Sequence, residues 1–329
     1  MGSAKWQELL ATSGSARQAI DTRTDAPARL DAARQALAQL DAQRGRLLVL
    51  GASDYPATLR DLALAPPVLF ASGDPTAADR TCVAIVGTRN ATPYGIRVAR
   101  EMAGAVVRAG GCVVSGMARG IDAAAHSGAL DAGGATIAVL GTGVDVPYPS
   151  AHRGLHAEIV RHGCVLSEHG PGVRATPGSF PERNRIIAAL SKVVLVVEAP
   201  HKSGALITAA IAASDELDRS VMAVPGPIDC ASSAGCNRLI RDGAQVATDI
   251  ADLLQLAGLT IPVRPSRASG LPADQRAVWD ALAAGALDAD SLAARSKLPA
   301  RTCLAAVTRL ELAGLIECEL TGAIRRRGM

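Results

Sequence analysis

The 329-residue chain is poor in aromatic residues, nearly balanced in charge and free of long apolar runs. Aromatics make up 2% of it, with only two phenylalanines, so a ring beside a candidate site carries weight. The formal net charge is +3, too little for overall basicity to announce a nucleic-acid partner. Residues 80–258 hold 16 Lys+Arg against 15 Asp+Glu, so any binding surface must come from local clustering. No apolar stretch approaches the roughly 18 residues of a membrane span, and no secretory signal opens the chain, so no membrane role is expected. The seven cysteines stand singly, several within apparent strands (Cys112, Cys164), which argues for reduced thiols in a cytoplasmic protein. Cys230 and Cys236 fit no common zinc spacing, so no metal is expected. Neither the dinucleotide fingerprint G-x-G-x-x-G nor the nucleophile elbow G-x-S-x-G occurs, which removes the usual signals for a nicotinamide cofactor or a serine hydrolase.

What is present is a hydrophobic fraction of 49%, ample for a large core. Residues 1–46 read as a short helical region, with Trp6, Leu9 and Leu10, then Leu30, Ala33, Leu37 and Leu40 at three-to-four spacing. A more extended region follows from Leu47. Strand signals then recur at Cys82–Val86, Cys112–Ser115, Thr136–Leu140, Cys164–Ser167, Val193–Val197 and Val221–Val224. Helical signals separate them, near 96–109, 123–132, 151–161, 184–190 and 206–214. Continuous Val/Ile/Leu strands are buried on both faces, so residues 47–259 are expected to form a parallel, doubly wound Rossmann-like α/β sheet. Residues 260–270 read as a linker. Residues 271–329 follow the order of a winged helix, with three short helices (273–283, 291–296, 299–313) and a hairpin around Thr321-Gly322.

Ligands of an open parallel sheet bind beyond the carboxyl ends of its strands, so those loops hold the candidate site. Arg89 follows the first core strand in Gly87-Thr88-Arg89-Asn90, where an arginine suits an anion held by a side chain. Gly116, Arg119 and Gly120 follow the second, small residues that admit a ligand close to the backbone. Lys202, Ser203 and Gly204 precede a helix start that could nest an anion. The densest cluster is FPERNR, in which Arg183, Asn184 and Arg185 stand close behind Phe180. Two guanidiniums and an amide at a helix start form a fork of donors for phosphate oxygens, and the phenylalanine offers a base a face to stack on. Asp122 and His126 could pair, although a helix-face His is more often a packing residue. Glu168 and Glu198 end strands at the same edge, without a partner that would define a base.

In order, VAIVGTRNATPYG, SGMARGIDAAAHSGAL, TIAVLGTGVDVPYP, FPERNRIIAALS, KVVLVVEA, SGALITAA and VMAVPG resemble the DNA-processing DprA/Smf family over about residues 55–259. The tail is similar to the winged helix that many members carry. The resemblance implies a Rossmann-like core that binds single-stranded DNA, loads RecA recombinase onto it in natural transformation, forms homodimers, and uses no cofactor and no hydrolysis. It implies DNA contacts at Arg89, then at Arg183, Asn184 and Arg185, with residues 203–205 lining the same edge and Phe180 near the bases. Two positions depart from the pattern. Ser150 follows Tyr148-Pro149 where many members have lysine, and Arg174 stands in the short segment before Phe180.

Two alternatives stay open on the residues alone. One is a nucleotide-processing enzyme like the Rossmann-like phosphoribohydrolases, against which Ala209 and Ala210 stand near where a catalytic Glu would be. The other makes the winged helix the main reader of duplex DNA, through Arg301, Thr302, Arg309 and the run Arg325-Arg326-Arg327.

Overall fold

The computed structural model describes residues 26–60, 62–176, 178–260, 271–285, 287–318 and 322–326. The expectations for Trp6, Leu9 and Leu10, for residues 261–270 and for Arg327 lie outside them. The chain divides into two compact units, residues 1–261 and 262–329.

The first unit is built on one nine-stranded sheet. Its strands are β1 (Arg46–Val49), β2 (Val68–Gly73), β3 (Cys82–Val86), β4 (Cys112–Ser115), β5 (Thr136–Leu140), β6 (Cys164–Ser167), β7 (Val193–Val196), β8 (Ser220–Ala223) and β9 (Gln245–Val246). They lie side by side in the order β1-β2-β6-β5-β4-β3-β7-β8-β9. From β6 to β9 every pairing is parallel. β3 to β7 are buried at every residue, which is why they read as unbroken apolar runs. The extended region after residue 47 adds what the apolar runs do not show: β2 pairs antiparallel with β6, and β1 antiparallel with β2. Incomplete burial, at the edge in β1 and beside it in β2, gives these strands a broken apolar pattern.

Helices α1 (Ala26–Ala42), α2 (Pro93–Arg108), α3 (Ile121–Asp131), α4 (Arg153–His162), α5 (Ser179–Leu190), α6 (Gly204–Ala212), α7 (Ala234–Arg241) and α8 (Ile250–Ala257) cover the faces. On one face α2, α3 and α8 bury Val98, Met102, Ile121 and Leu253 against Val83, Ile85, Val113 and Leu195. On the other, Ile186, Ile187 and Leu190 of α5 and Ala205 and Ala209 of α6 meet Ala84, Val86, Val114 and Val194. After β6 the chain crosses back to place β7 beside β3, so strand order reverses between them. This reversal is the topological switch point, where the chain ends of two neighbouring strands diverge and leave a crevice.

Helix α5 corrects one expectation. It begins at Ser179 rather than near Asn184, because Pro181 falls in the first turn, where a missing N–H costs no helical bond. Arg183, Asn184 and Arg185 are therefore inside the helix and not at its free N–H groups.

The second unit carries α9 (Ala273–Ala281), α10 (Ala289–Ser296), α11 (Ala300–Leu312) and the antiparallel pair β10 (Ile316–Cys318) and β11 (Ile324–Arg326). Val278, Leu292, Cys303, Val307, Leu310 and Ile324 form its core. Among the described residues no helix is long and apolar enough to cross a membrane.

Candidate functional site

Two cavities open side by side at the carboxyl edge of the large sheet. One, of about 440 Å³, lies at the switch point between the loops after β3 and β7, with Thr88, Asp122, Asn184, Ser203, Gly204 and Thr208 in its lining. The other, of about 350 Å³, is lined by Gly116, Arg119, Thr142, Tyr148 and Ser150. Arg89, Ala118, Phe180 and Arg183 border both. The partition is aromatic and cationic: the Arg89 guanidinium carbon lies 5.6 Å from the Phe180 ring centre. Tyr148 stands on the same ring, with centroids 5.2 Å apart and planes tilted by 39°. Tyr148 was legible only as part of the Tyr-Pro loop after β5, and the fold turns it into the second ring of the site.

Local structure holds Arg89 at this position. Glu198, just beyond β7, accepts hydrogen bonds from the Thr92 backbone N–H (2.9 Å) and hydroxyl (2.5 Å). The Thr92 hydroxyl oxygen in turn accepts from Gly95 N–H (3.1 Å) and caps α2. The carboxylate of Glu198 thus staples the loop carrying Arg89 to the neighbouring strand end. Arg89, Arg119 and Lys202 are all exposed. Ser203 caps α6 by accepting from Ala205 N–H, and a side chain added at Gly204 would meet nothing within 4 Å. That helix start faces open space.

The expected fork of Arg183, Asn184 and Arg185 is divided three ways. Arg183 turns inward and is only 7% exposed. Its Nη1 donates to the carbonyls of Gly116 (2.8 Å) and Val139. A Cβ on Gly116 would stand 2.3 Å from that nitrogen, so the close approach requires glycine there. Asp122 completes the clamp, accepting from the N–H groups of Gly116 (3.2 Å) and Ala118 (3.4 Å). Arg183 and Asp122 thus fix the turn after β4 from both sides. Burial lowers the Arg183 pKa to about 10 against the opposing pull of Asp122. Burial likewise raises the Asp122 carboxyl, with Arg183 and backbone N–H groups holding it back. Asn184 Nδ2 donates to Gly204 O (3.4 Å), tying α5 to the start of α6. Arg185 points away, to Glu168 (2.5 Å) and the Leu64 carbonyl (2.7 Å).

His126 does not pair with Asp122. The Thr136 hydroxyl donates to Val113 O, so its lone pair accepts from His126 Nδ1–H at 2.8 Å and fixes that tautomer. Burial first, then Arg183 and His152, push the imidazole down to about 3, and the ring is neutral.

Known proteins resemble this chain in sequence and in fold. The family model for DNA recombination-mediator protein A matches residues 46–258, and that for the DprA winged helix domain matches residues 262–325. The chain is similar to DNA processing protein DprA of Streptococcus pneumoniae, 42% identical over 204 residues, covering 61% of this chain and 70% of the relative. It is also similar to protein Smf of Escherichia coli, 37% identical over 284 residues, with 83% and 75% covered. Among solved structures, DprA of S. pneumoniae superposes with a TM-score of 0.62 at 40% identity, over 66% of this chain and 77% of that one. DNA processing protein A of Helicobacter pylori, whose structure is described for its single-stranded DNA binding mode, gives 0.59 at 30% identity, over 64% and 94%.

Proposed function

The chain belongs to the DprA/Smf family of DNA-processing proteins, and from that premise we propose that it binds single-stranded DNA across the two cavities at the carboxyl edge of its sheet. The observation that carries this reading is the Arg89–Phe180–Tyr148 partition. An exposed guanidinium beside two stacked rings offers phosphate and base contacts together, and both are indifferent to sequence. Arg119 and Lys202 lie at the rims of the two cavities and would continue the phosphate path, with Ser203 and Gly204 at the start of α6. Gly116, Arg183 and Asn184 would act behind this surface, holding the loops that carry it. Arg185 would reach a strand only by leaving Glu168. Bases splayed into separate cavities cannot remain paired, so the groove suits one strand over a duplex.

In the same reading the bound strand is handed to RecA recombinase during natural transformation, and the protein acts as a homodimer without catalysing a reaction. Family membership supports these parts. The enzyme alternative has little support from the carboxylates. Glu198 is committed to Thr92 and Asp122 to backbone N–H groups. Fluorescence anisotropy of a labelled oligo-dT strand and its duplex, over a salt series, tests the reading. Preferential single-strand binding that weakens with salt and is weakened in Arg89→Ala is expected. Equal binding by the variant would overturn the site.

A further inference from the structure

The winged helix is the one sequence motif that the core site does not use, and its surface does not resemble that of a DNA reader. Three of its arginines are engaged within the domain. Arg309 lies 3.5 Å from Asp274 and Arg325 2.5 Å from Glu317. Arg326 donates to the Trp279 carbonyl and lies 4.4 Å over its ring. Helix α11, in the recognition position, shows solvent two leucines, Leu304 at 52% and Leu312 at 84% exposure, beside Arg301 and the Asp274-paired Arg309. A helix entering a groove offers cations and amides to phosphates and base edges, not leucines.

Four of the exposed residues of α11 line up as a seam. Arg301, Leu304, Thr308 and Glu311 follow at intervals of three, four and three, the a and d positions of a heptad. The Thr308 hydroxyl donates to Leu304 O (3.1 Å), so its polar atom is satisfied within the helix. Glu311 accepts from Cys318 N–H (3.3 Å) through Oε1, which anchors it at the end of the seam. In an antiparallel pair, a positions lie opposite d positions. Arg301 then meets Glu311 of a second copy, twice, and Leu304 meets Thr308, twice. A parallel pair would set arginine on arginine and glutamate on glutamate. The charge order therefore selects one partner and one direction.

We infer that α11 is a self-association helix, pairing antiparallel on a two-fold axis with α11 of a second copy of this chain. The seam is short, so the contact acts where copies are already held at high local concentration. It is independent of the DNA-binding reading, since it uses none of the core residues.

Site-directed cross-linking in the full chain tests it. Chains carrying Leu304→Cys are mixed with chains carrying Thr308→Cys, both with the accessible Cys230 and Cys318 changed to Ser, and oxidised. The disulfide between positions 304 and 308 should form several-fold more than 304–304 or 308–308. Arg301→Glu or Glu311→Arg alone should lower its yield about tenfold by like-charge opposition, and the two together should restore it. Equal yields in all three pairings, or charge reversals without effect, would overturn the proposal. So would loss of duplex DNA binding in Arg301→Glu with unchanged cross-linking, which would make α11 a reader of DNA.

Discussion

The carboxyl edge of the core and the C-terminal unit both carry arginines, and they use them in opposite ways. At the core edge Arg89 lies on an aromatic ring beside two cavities, and Arg119 and Lys202 are exposed at the rims. In the C-terminal unit Arg309 and Arg325 face carboxylates and Arg326 covers Trp279. A cation already facing a carboxylate gains little from a phosphate, because binding must first break the pair. The local setting of each arginine, not their number, separates a ligand surface from an internally neutralised one. The same division runs through the site itself, since Arg183 is buried under it while Arg89 stands over it.

The largest expected effect tests that inner role. Arg183→Met removes the donor to the Gly116 and Val139 carbonyls and leaves Asp122 buried without its nearby cation. Breaking such a buried arrangement costs about 3 kcal/mol or more, a fall of roughly 6–12 °C in Tm for a unit of this size. Calorimetry of the variant reads it directly. A Tm within a degree of wild type, with DNA binding lost, would move Arg183 to the ligand side and break the division.

Next in size is the outer role. Removing Arg89 and Phe180 together takes away a phosphate contact and a stacking face, and should weaken oligo-dT binding about a hundredfold. Arg89→Ala alone should flatten the slope of log K against log salt by about 0.7. Arg185→Ala should cost less than Arg89→Ala, because its guanidinium is already held by Glu168 and Leu64. Equal losses in the two variants would show that the Arg185–Glu168 pair opens to the strand.

A smaller effect follows from His126. Its folded pKa of about 3 lies below the unfolded value of 6.5. The stability contributed by keeping it neutral is therefore full above pH 6.5 and is lost as pH falls toward 3. At pH 5 the loss is roughly 2 kcal/mol. Asp122, whose pKa is raised, works in the opposite direction on acidification and is common to both proteins compared. His126→Asn keeps a donor for Thr136 without a titrating ring. Its denaturant midpoint should fall less between pH 7 and 5 than that of wild type, and parallel curves would remove His126 from the account.

Much of this architecture can be read from the chain, for a physical reason. Strands buried on both faces must be apolar throughout, so β3 to β7 stand out as runs, and short glycine-bearing loops mark their ends. The edge strand β1 and its neighbour β2 carry a weaker mark, because two of the four β1 residues are exposed and half of β2 is only partly buried. The direction of a charged side chain is not legible either. Three consecutive residues on a helix are about 100° apart, so Arg183 and Arg185 diverge as soon as α5 includes them. Only the packing shows which one goes inside. Charge counting likewise finds arginines in the C-terminal unit but not the carboxylates folded against them.

The smallest expected effect is the one that isolates the two regions. A chain ending at residue 260 keeps both cavities and every residue that lines them. Its affinity for short oligo-dT, one site long, should stay within about twofold of the full chain. Arg309→Ala and Arg325→Ala, each removing one side of a surface ion pair, should change the unfolding free energy by no more than the ~1 kcal/mol such pairs contribute, and single-strand affinity not at all. On longer strands, where several chains bind side by side, the truncated protein should lose cooperativity if α11 joins neighbours. The Hill slope measured against strand length then distinguishes a domain that touches DNA from one that touches its own copy. A tenfold loss on the short strand would place nucleic-acid contacts in the C-terminal unit and dissolve the contrast between the two regions.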